Sequence, residues 1–341
     1  MGLGGIVCNY MKKLVLIVTG ITGLFIISGF LFFYFFAQKD VLGVVSPLAD
    51  DYQQQKIQQQ EIVDRSTTSG YPPNEYFPHF LEPKFKEYPE INAQAFAVME
   101  RKSRELLLAK NLTLELPIAS VTKIMTAVTA LEMADLDVEL TVSQRAADIG
   151  EAEMGLTAGE RVTVEELLYG LLLPSGNDAA ETLAEGLGNG RTSFLIAMNE
   201  KAKELGLFDT YYFNPTGLDG DTRETTSFST ALDQLALTNF TLNNPIFAEI
   251  VSTYYKEIPY KEGSHKAFYL YNILQLDRSY PGIKGVKPGI TDFAKETLVS
   301  YAENGGTQLI IVLLGTQNSR DEVVKLYNYV YEKLGIKIPG T

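Results

Sequence analysis

The chain has 341 residues, of which 45% are hydrophobic and 21% are charged. A chain of this length and composition can bury a full core, so disorder is not expected, and one large domain or two small ones are suggested. Its formal net charge is -13, and no basic stripe interleaved with aromatic residues offsets this charge. Because such a surface repels a phosphate backbone, we do not expect nucleic acid as a partner.

One cysteine and two histidines restrict the chemistry that the chain can carry out. Cys8 is alone, so it cannot form an internal disulfide or a thiolate cluster. His79 and His265 do not lie in an H-x-x-x-H or H-E-x-x-H arrangement, which leaves a zinc hydrolase site short of ligands. We therefore expect neither a metal ion nor another cofactor.

The N-terminal part of the sequence predicts a membrane anchor. Residues 14–36 form an uncharged run of 23 residues, LVLIVTGITGLFIISGFLFFYFF, and about 20 apolar residues suffice for a helix to cross the bilayer. Lys12 and Lys13 precede this run, which places residues 1–13 in the cytoplasm and the rest of the chain outside. A cleaved signal peptide is the alternative, but the run is longer than the usual apolar region of such peptides. We expect a single-pass protein of the cell membrane.

Residues 37–76 are predicted to be a juxtamembrane linker. They contain QQQKIQQQ and STTSGYPPNEY, which are polar, include Gly and paired Pro, and lack apolar periodicity. The remaining residues, 77–341, form the predicted globular domain, which would lie outside the membrane.

Predicted strands open and close the globular domain. Ala93–Met99 and the ELLLA run after Arg104 indicate a hairpin. Thr307–Gly315 is typical of a buried strand, and the last helix is predicted to begin with a capping box formed by Ser319 and Glu322. Between these strands, apolar residues at helical spacing predict helices at Ser120–Met133, Val164–Leu173 and Asp178–Leu187.

Three short motifs follow one another along the chain, namely Ser120-Val-Thr-Lys123, Ser175-Gly-Asn177 and Lys287-Pro-Gly289. Their order matches the S-x-x-K, S-x-N and K-T-G set of class A β-lactamases and penicillin-binding proteins. Each motif alone is weak, because an isolated match is usually a helix start or a turn. Their order and contexts together indicate a serine acyl-enzyme site.

The first motif has a direct chemical interpretation. Ser120 and Lys123 are three residues apart at the start of a predicted helix, so the amine can reach the hydroxyl. A lysine is ordinarily protonated at neutral pH, so a basic Lys123 requires a pKa lowered by burial and by a second cation, a role that Lys287 could fill. The N–H of Ser120, at the N-terminus of the helix, could help to hold an oxyanion.

The similarity extends beyond the motifs, and the chain resembles the serine-type D-alanyl-D-alanine carboxypeptidases, low-molecular-weight penicillin-binding proteins of the peptidase S11 type. The resemblance covers nearly all of residues 77–338 and is carried by LPIASVTKIMTA (116–127), residues 154–185, residues 198–218 and YPGIKGVKPGITDFA (280–294). It implies an α/β (α+β) fold of the β-lactamase/transpeptidase type. An antiparallel sheet would be flanked by helices, with a helical subdomain inserted between Ser120 and Lys287 and the active site in the cleft between the two.

The resemblance also implies catalytic roles for individual residues. Ser120 would be the nucleophile, Lys123 its general base, and Ser175 a relay that passes a proton to the leaving D-alanine. Asn177 would orient Lys123 and bind the substrate amide. No metal takes part in this scheme.

The third motif would form the opposite wall of the site. Lys287 would supply a positive field to the substrate carboxylate, Gly289 would belong to the substrate-binding strand, and the N–H of Ile290 would complete the oxyanion hole. The implied substrate is a peptidoglycan stem peptide ending in D-Ala-D-Ala, and the implied covalent inhibitors are β-lactams.

Two positions depart from the family pattern. Pro288 replaces the usual Thr or Ser, so a hydroxyl that contacts the terminal carboxylate is missing; Thr291 is a candidate replacement, although strand alternation argues against it. Proline is tolerated at an edge strand, where its nitrogen faces outward. Lys295 stands where such sequences commonly carry Gly. Arg278 is a candidate for carboxylate binding.

Other functions remain open at this point. A catalytically weak module that binds penicillin or wall peptide would share the motifs, because altered motif positions can reduce turnover without loss of the fold. A class A-like β-lactamase would share the first motif, but the region after the second motif lacks the expected deacylating glutamate. A Ser-His-Asp hydrolase is disfavoured, since neither histidine lies in a triad context.

Overall fold

The computed structural model describes residues 75–274 and 280–338. The predicted segments at 1–13 and 14–36, all but the last two residues of the predicted linker at 37–76, and Arg278 lie outside the described residues. Within the two described ranges, no helix is long and apolar enough to cross a bilayer.

The strands that the structure describes are β1 (Ala95–Glu100), β2 (Glu105–Lys110), β3 (Leu116–Pro117), β4 (Glu139–Thr141), β5 (Arg161–Thr163), β6 (Phe228–Ser229), β7 (Tyr255–Ile258), β8 (Phe268–Tyr271), β9 (Ile283–Thr291), β10 (Lys295–Asn304) and β11 (Thr307–Thr316). Five of them form one antiparallel sheet in the order β2-β1-β11-β10-β9. The predicted hairpin and the predicted buried strand are therefore confirmed, and β9 with the third motif forms an edge of the sheet.

The helices are α1 (Lys123–Met133), α2 (Gln144–Ala147), α3 (Val164–Leu172), α4 (Asn177–Gly186), α5 (Arg191–Glu204), α6 (Ala231–Thr241), α7 (Pro245–Ser252) and α8 (Ser319–Lys333), with short 3-10 turns at Ala119–Thr122 and Arg223–Thr225. Helices α1 to α7 follow β2 and precede β9, so the predicted helical insertion is confirmed. The first predicted helix differs in one respect, because it begins as the 3-10 turn and becomes an α-helix only at Lys123.

Helix α8 covers one face of the sheet. Its side chains Leu326, Tyr327 and Val330 are fully buried and belong to the same core cluster as Phe96 of β1 and Ile311 of β11. The central strands β1 and β11 are continuously apolar and buried over Ala95–Met99 and Leu309–Leu314, because helices pack on both faces of the sheet. On the other face, α6 packs on β1 and β11, and the 3-10 turn packs on β9 and β10.

The predicted capping box of the last helix is wrong. Asn318 is the N-cap, and its side chain accepts a hydrogen bond from Asp321 N. Glu322 is buried and instead accepts hydrogen bonds from the backbone N–H groups of Asn92 and Ala93 and from the hydroxyl of Thr316. Glu322 is therefore bound by partners outside the helix, although its spacing from Ser319 predicted a role at the helix start.

Candidate active site

Ser120 and Lys123 lie where the 3-10 turn meets α1. The Nζ atom of Lys123 is 2.9 Å from the Oγ atom of Ser120. Lys123 is fully buried, whereas Ser120 keeps some exposure and lines an open cleft. The turn therefore presents the hydroxyl to the cleft while the amine reaches the same oxygen from inside the protein.

Two further oxygen atoms fix the position of the Lys123 amine. Its Nζ donates to Asn177 Oδ1 at 2.7 Å and to the carbonyl oxygen of Thr216 at 2.7 Å. Asn177 begins α4, and Thr216 belongs to the loop between α5 and β6. Three separate parts of the chain thus converge on one nitrogen, which holds the amine in a single orientation.

The Thr216 carbonyl was not among the residues that the sequence singled out. Its loop is held by Asn214, whose Oδ1 accepts from the backbone N–H groups of Thr216 and Gly217. Gly217 has a φ of +81°, and a Cβ placed on it would lie 1.9 Å from the carbonyl oxygen of Ala119. Glycine is therefore required where this loop meets the 3-10 turn. In the sequence, the segment NPTG at residues 214–217 lies within the region of resemblance, but its residue types do not indicate that a backbone carbonyl binds Lys123.

The environment of Lys123 favours the neutral amine. Burial lowers its pKa well below the ordinary value, and the nearby ammonium of Lys287 lowers it further. The carboxylates of Glu151, Asp178 and Glu181 act in the opposite direction, but their effects are smaller. A neutral amine within hydrogen-bonding distance of a hydroxyl can accept its proton.

The second motif contributes Ser175 and Asn177 to the same cleft. Ser175 is buried, has a φ of 69° and lines the cleft. Asn177 bonds to Lys123 on one side, while its backbone N–H donates to Ala152 O at 2.7 Å and its Nδ2 donates to Gly150 O at 3.0 Å. Asn177 therefore connects Lys123 to the loop that precedes β5.

Asp178 fixes the next part of that loop. Its buried carboxylate accepts hydrogen bonds from the backbone N–H groups of Met154, Gly155 and Leu156, each at 2.8 Å. Such a carboxylate on the first turn of a helix is also favourably placed with respect to the helix dipole. The start of α4 thus organises both the amine and the loop at residues 150–156.

The third motif forms the opposite wall of the cleft on the edge strand β9. Lys287 is fully buried, and its Nζ donates to the carbonyl oxygen of Pro288 at 3.0 Å. Burial lowers the pKa of Lys287 to about 7. A Cβ added to Gly289 would lie 2.8 Å from the nitrogen of Ser120 and 2.7 Å from Thr297 Oγ1. Glycine therefore allows β9 to approach the 3-10 turn without obstructing the Ser120 N–H.

The two departures from the family pattern have different structural settings. Pro288 pairs with Leu298 of β10, and the register runs without a shift from there to the pair of Thr291 and Lys295, so the edge strand accommodates the proline. Thr291 Oγ1 accepts from Ala294 N within the hairpin turn. Lys295 has a φ of 57°, a left-handed conformation that glycine adopts without the strain it brings to lysine.

The cleft has a volume of about 420 Å³, and five of the predicted site residues line it, whereas Lys123 and Lys287 are fully buried beside it. Ser120, Ser175 and Asn177 line its helical side, and residues 288–291 line its sheet side, where Ile290 is 69% exposed. Glu151 also lines the cleft, although the sequence had not indicated it. Within residues 75–274 and 280–338, no group of three or more His, Cys, Asp or Glu side chains could hold a metal ion.

A serine, a buried lysine whose pKa is lowered and a second buried lysine across a cleft define a serine acyl-transfer enzyme of the penicillin-binding type. Residues 82–318 match the peptidase S11 family, described as D-alanyl-D-alanine carboxypeptidase. The chain belongs to this family.

Curated relatives of the chain are also named D-alanyl-D-alanine carboxypeptidases. The D-alanyl-D-alanine carboxypeptidase DacF of Bacillus subtilis is 33% identical over 249 residues, which are 71% of this chain and 62% of DacF. The chain therefore spans less than two thirds of the length of that relative. DacB2 of Mycobacterium tuberculosis is 36% identical over 229 residues, which are 66% of this chain and 76% of DacB2.

Solved structures share the fold. A D-alanyl-D-alanine carboxypeptidase from Mycobacterium tuberculosis H37Rv has a TM-score of 0.67 and 31% identity, and the match covers 72% of this chain and 93% of that one. The Streptomyces K15 DD-transpeptidase also has a TM-score of 0.67 and 31% identity, with 72% and 99% covered. The architecture is therefore the mixed α/β transpeptidase-like fold, with an antiparallel sheet and flanking helices.

Proposed function

We propose that the protein is a serine D-Ala-D-Ala carboxypeptidase that removes the terminal D-alanine from peptidoglycan stem peptides through an acyl-enzyme. One observation carries the proposal: the fully buried amine of Lys123 lies 2.9 Å from the hydroxyl of Ser120. The names of the family and of its curated relatives support the reaction and the substrate.

Acylation begins when neutral Lys123 accepts the proton of Ser120 as its Oγ attacks the carbonyl carbon of the penultimate D-alanine. General base catalysis of this kind contributes about 10²- to 10⁴-fold. The developing oxyanion is stabilised by the N–H groups of Ser120 and Ile290, and a donor of this kind is worth about 3 to 4 kcal/mol. Collapse of the intermediate breaks the peptide bond and leaves the acyl group on Ser120 as an ester.

The leaving nitrogen of the terminal D-alanine receives, through Ser175, the proton that Lys123 took from Ser120, and Lys123 is neutral again. A water molecule then attacks the ester, and Lys123 accepts a proton from that water. Lys123 passes this proton to Ser120 Oγ as the ester C–O bond breaks, and the shortened peptide leaves with a new terminal carboxylate. β-Lactams enter the same pathway, because their strained amide acylates Ser120 in place of the peptide. They are therefore proposed as covalent inhibitors.

The substrate carboxylate would lie beside the ammonium of Lys287 on β9. Pro288 supplies no hydroxyl to this carboxylate, so a hydrogen-bond donor next to Lys287 is missing. This observation favours a second candidate function, in which the domain captures penicillin or wall peptide but releases product slowly. A class A-like β-lactamase receives no support from the names of the relatives.

The proposed location is the outer side of the cell membrane, to which one helix at residues 14–36 tethers the catalytic domain. The uncharged run and the preceding Lys12 and Lys13 support this orientation. In intact cells, external protease should degrade residues beyond 77 while the protein fractionates with membranes. Protection from the protease would contradict the orientation.

The decisive experiment compares the unaltered protein with Ser120→Ala. The unaltered protein should bind fluorescent penicillin covalently and release D-alanine from a pentapeptide, and Ser120→Ala should do neither. Labelling without release would favour the binding module. Full labelling of Ser120→Ala would show that another residue is the nucleophile.

A further inference from the structure

Glu151 occupies a junction between the catalytic cleft and a second hollow. It lines the cleft together with Ser120 and Ser175. It also lines a recess of about 610 Å³, whose other lining residues include Leu218, Ile290, Thr291 and Lys295. Leu218, Ile290, Thr291 and Glu296 line both hollows, so the cleft and the recess adjoin each other.

The backbone on both sides of Glu151 is attached to the catalytic machinery. The carbonyl oxygens of Gly150 and Ala152 accept hydrogen bonds from Asn177, the residue that also binds the Lys123 amine. Glu151 itself has a φ of 64°, a conformation that costs a residue with a side chain about 1 kcal/mol. The loop thus holds Glu151 in place relative to Ser120 in spite of that cost.

The Glu151 carboxylate makes no hydrogen bond or ion pair with another residue in the described part of the chain, and the side chain is exposed. The recess carries three further carboxylates, those of Asp219, Asp292 and Glu296, against the single ammonium of Lys295. A negative wall disfavours the terminal carboxylate of a peptide and favours a cationic side chain.

The direction of β9 indicates which part of a substrate lies here. Under the proposed function, the terminal carboxylate lies beside Lys287 and the scissile carbonyl lies between Ser120 and Ile290. The acyl side of the peptide must then continue away from Lys287, past Thr291 and towards the recess. A strand residue advances about 3.3 Å, so Glu151 at the junction faces the first residues upstream of the scissile bond.

We propose that Glu151 is a specificity-determining residue, which selects peptides whose residue before the D-Ala-D-Ala pair carries a free side-chain ammonium. This inference rests on the proposed function and identifies the substrate more narrowly. It predicts that neutralising the ammonium of the peptide and removing the carboxylate of Glu151 have the same, non-additive effect.

The test uses two peptides that end in Lys-D-Ala-D-Ala, one with a free Nε amine and one with an acetylated Nε. D-Alanine release gives kcat/KM for each peptide, and competition against fluorescent penicillin gives the relative affinity even if no D-alanine is released. The unaltered full-length protein should prefer the free amine by about tenfold. Glu151→Gln should reduce this preference to about one.

Glu153→Gln is the matched control. Glu153 lies two residues further along the same loop, is exposed and lines neither hollow. The variant makes the same chemical change and should keep the tenfold preference. Glu151→Gly, which suits the left-handed backbone, should lose the preference while it folds at least as well, and this separates selectivity from stability.

Equal use of both peptides by the unaltered protein would overturn the inference, as would a tenfold preference that survives in Glu151→Gln. Slow hydrolysis of the penicillin acyl-enzyme in Glu151→Gln, with the preference unchanged, would assign a deacylating role instead and would also overturn it. If neither peptide releases D-alanine but the free amine still competes better in a Glu151-dependent way, the proposed function fails and the inference stands.

Discussion

The cleft has a helical wall, formed by the residues around Ser120 and Asn177, and a sheet wall, formed by β9. Each wall contains a buried lysine, but the two lysines are held in different ways. Lys123 on the helical wall has three oxygen partners from three parts of the chain. Lys287 on the sheet wall donates only to the carbonyl of the next residue, Pro288, among the described residues. Burial lowers the pKa of both lysines.

This difference separates two chemical roles. A proton acceptor needs a fixed position relative to one hydroxyl, which the three partners of Lys123 provide. A group that attracts a carboxylate through its field needs charge, and Lys287, although buried, retains its charge up to a pH of about 7. The ammonium of Lys287 also lowers the pKa of Lys123, which favours the neutral form that the proposed base requires.

Removal of the amine from the helical wall should have the largest effect. Lys123→Met keeps much of the buried volume but removes the base, and it leaves Asn177 Oδ1 and the Thr216 carbonyl without their donor. We expect acylation by penicillin to slow by about 10³- to 10⁴-fold, measured by stopped-flow labelling. A loss smaller than tenfold would mean that another group accepts the proton of Ser120.

Contact between the walls depends on Gly289. Gly289→Ala places a methyl group against the Ser120 nitrogen and Thr297 Oγ1, so the strand must shift or the N–H must be blocked. Loss of one oxyanion donor should lower kcat by about 10²-fold. The melting temperature of the same variant serves as the control for folding, and full activity would show that Ser120 N–H does not stabilise the oxyanion.

The charge of Lys287 on the sheet wall should determine how kcat/KM depends on pH. Because the pKa of Lys287 is lowered to about 7, the ammonium is lost as pH rises through that value. Carboxylate binding then weakens, and kcat/KM for a D-Ala-D-Ala peptide should fall by up to about tenfold per pH unit above it. Lys287→Gln should lack this basic limb. An unaltered protein whose kcat/KM is constant from pH 7 to 9 would contradict the assignment.

The smallest effect is expected at the hairpin of the sheet wall. Lys295→Gly removes a side chain from a residue whose φ is 57°, so we expect the free energy of unfolding to rise by up to about 1 kcal/mol. This corresponds to an increase of about 2 °C in the melting temperature. Lys295→Ala removes the charge but keeps the strained backbone, and it should bring no such gain.

Sequence-based predictions succeeded where a feature is local. The reach of Lys123 to Ser120 follows from a spacing of three residues, and the buried strand at β11 follows from its apolar run. The predicted capping box failed because Glu322 bonds to Asn92, Ala93 and Thr316, which are distant in sequence or outside the helix. The spacing of residues within a helix does not reveal hydrogen-bond partners that come from other parts of the chain.

The sequence alone determined the three motifs, the helical insertion between strands and, through resemblance, the family. Only the tertiary structure decided that the Thr216 carbonyl accepts a hydrogen bond from Lys123. It also decided that Gly289 lies against Ser120 and that Glu151 lies between the cleft and the recess. The physical reason is that a backbone carbonyl, a close approach and an unpaired carboxylate have no signature in residue type. They arise when segments far apart in the chain pack against each other.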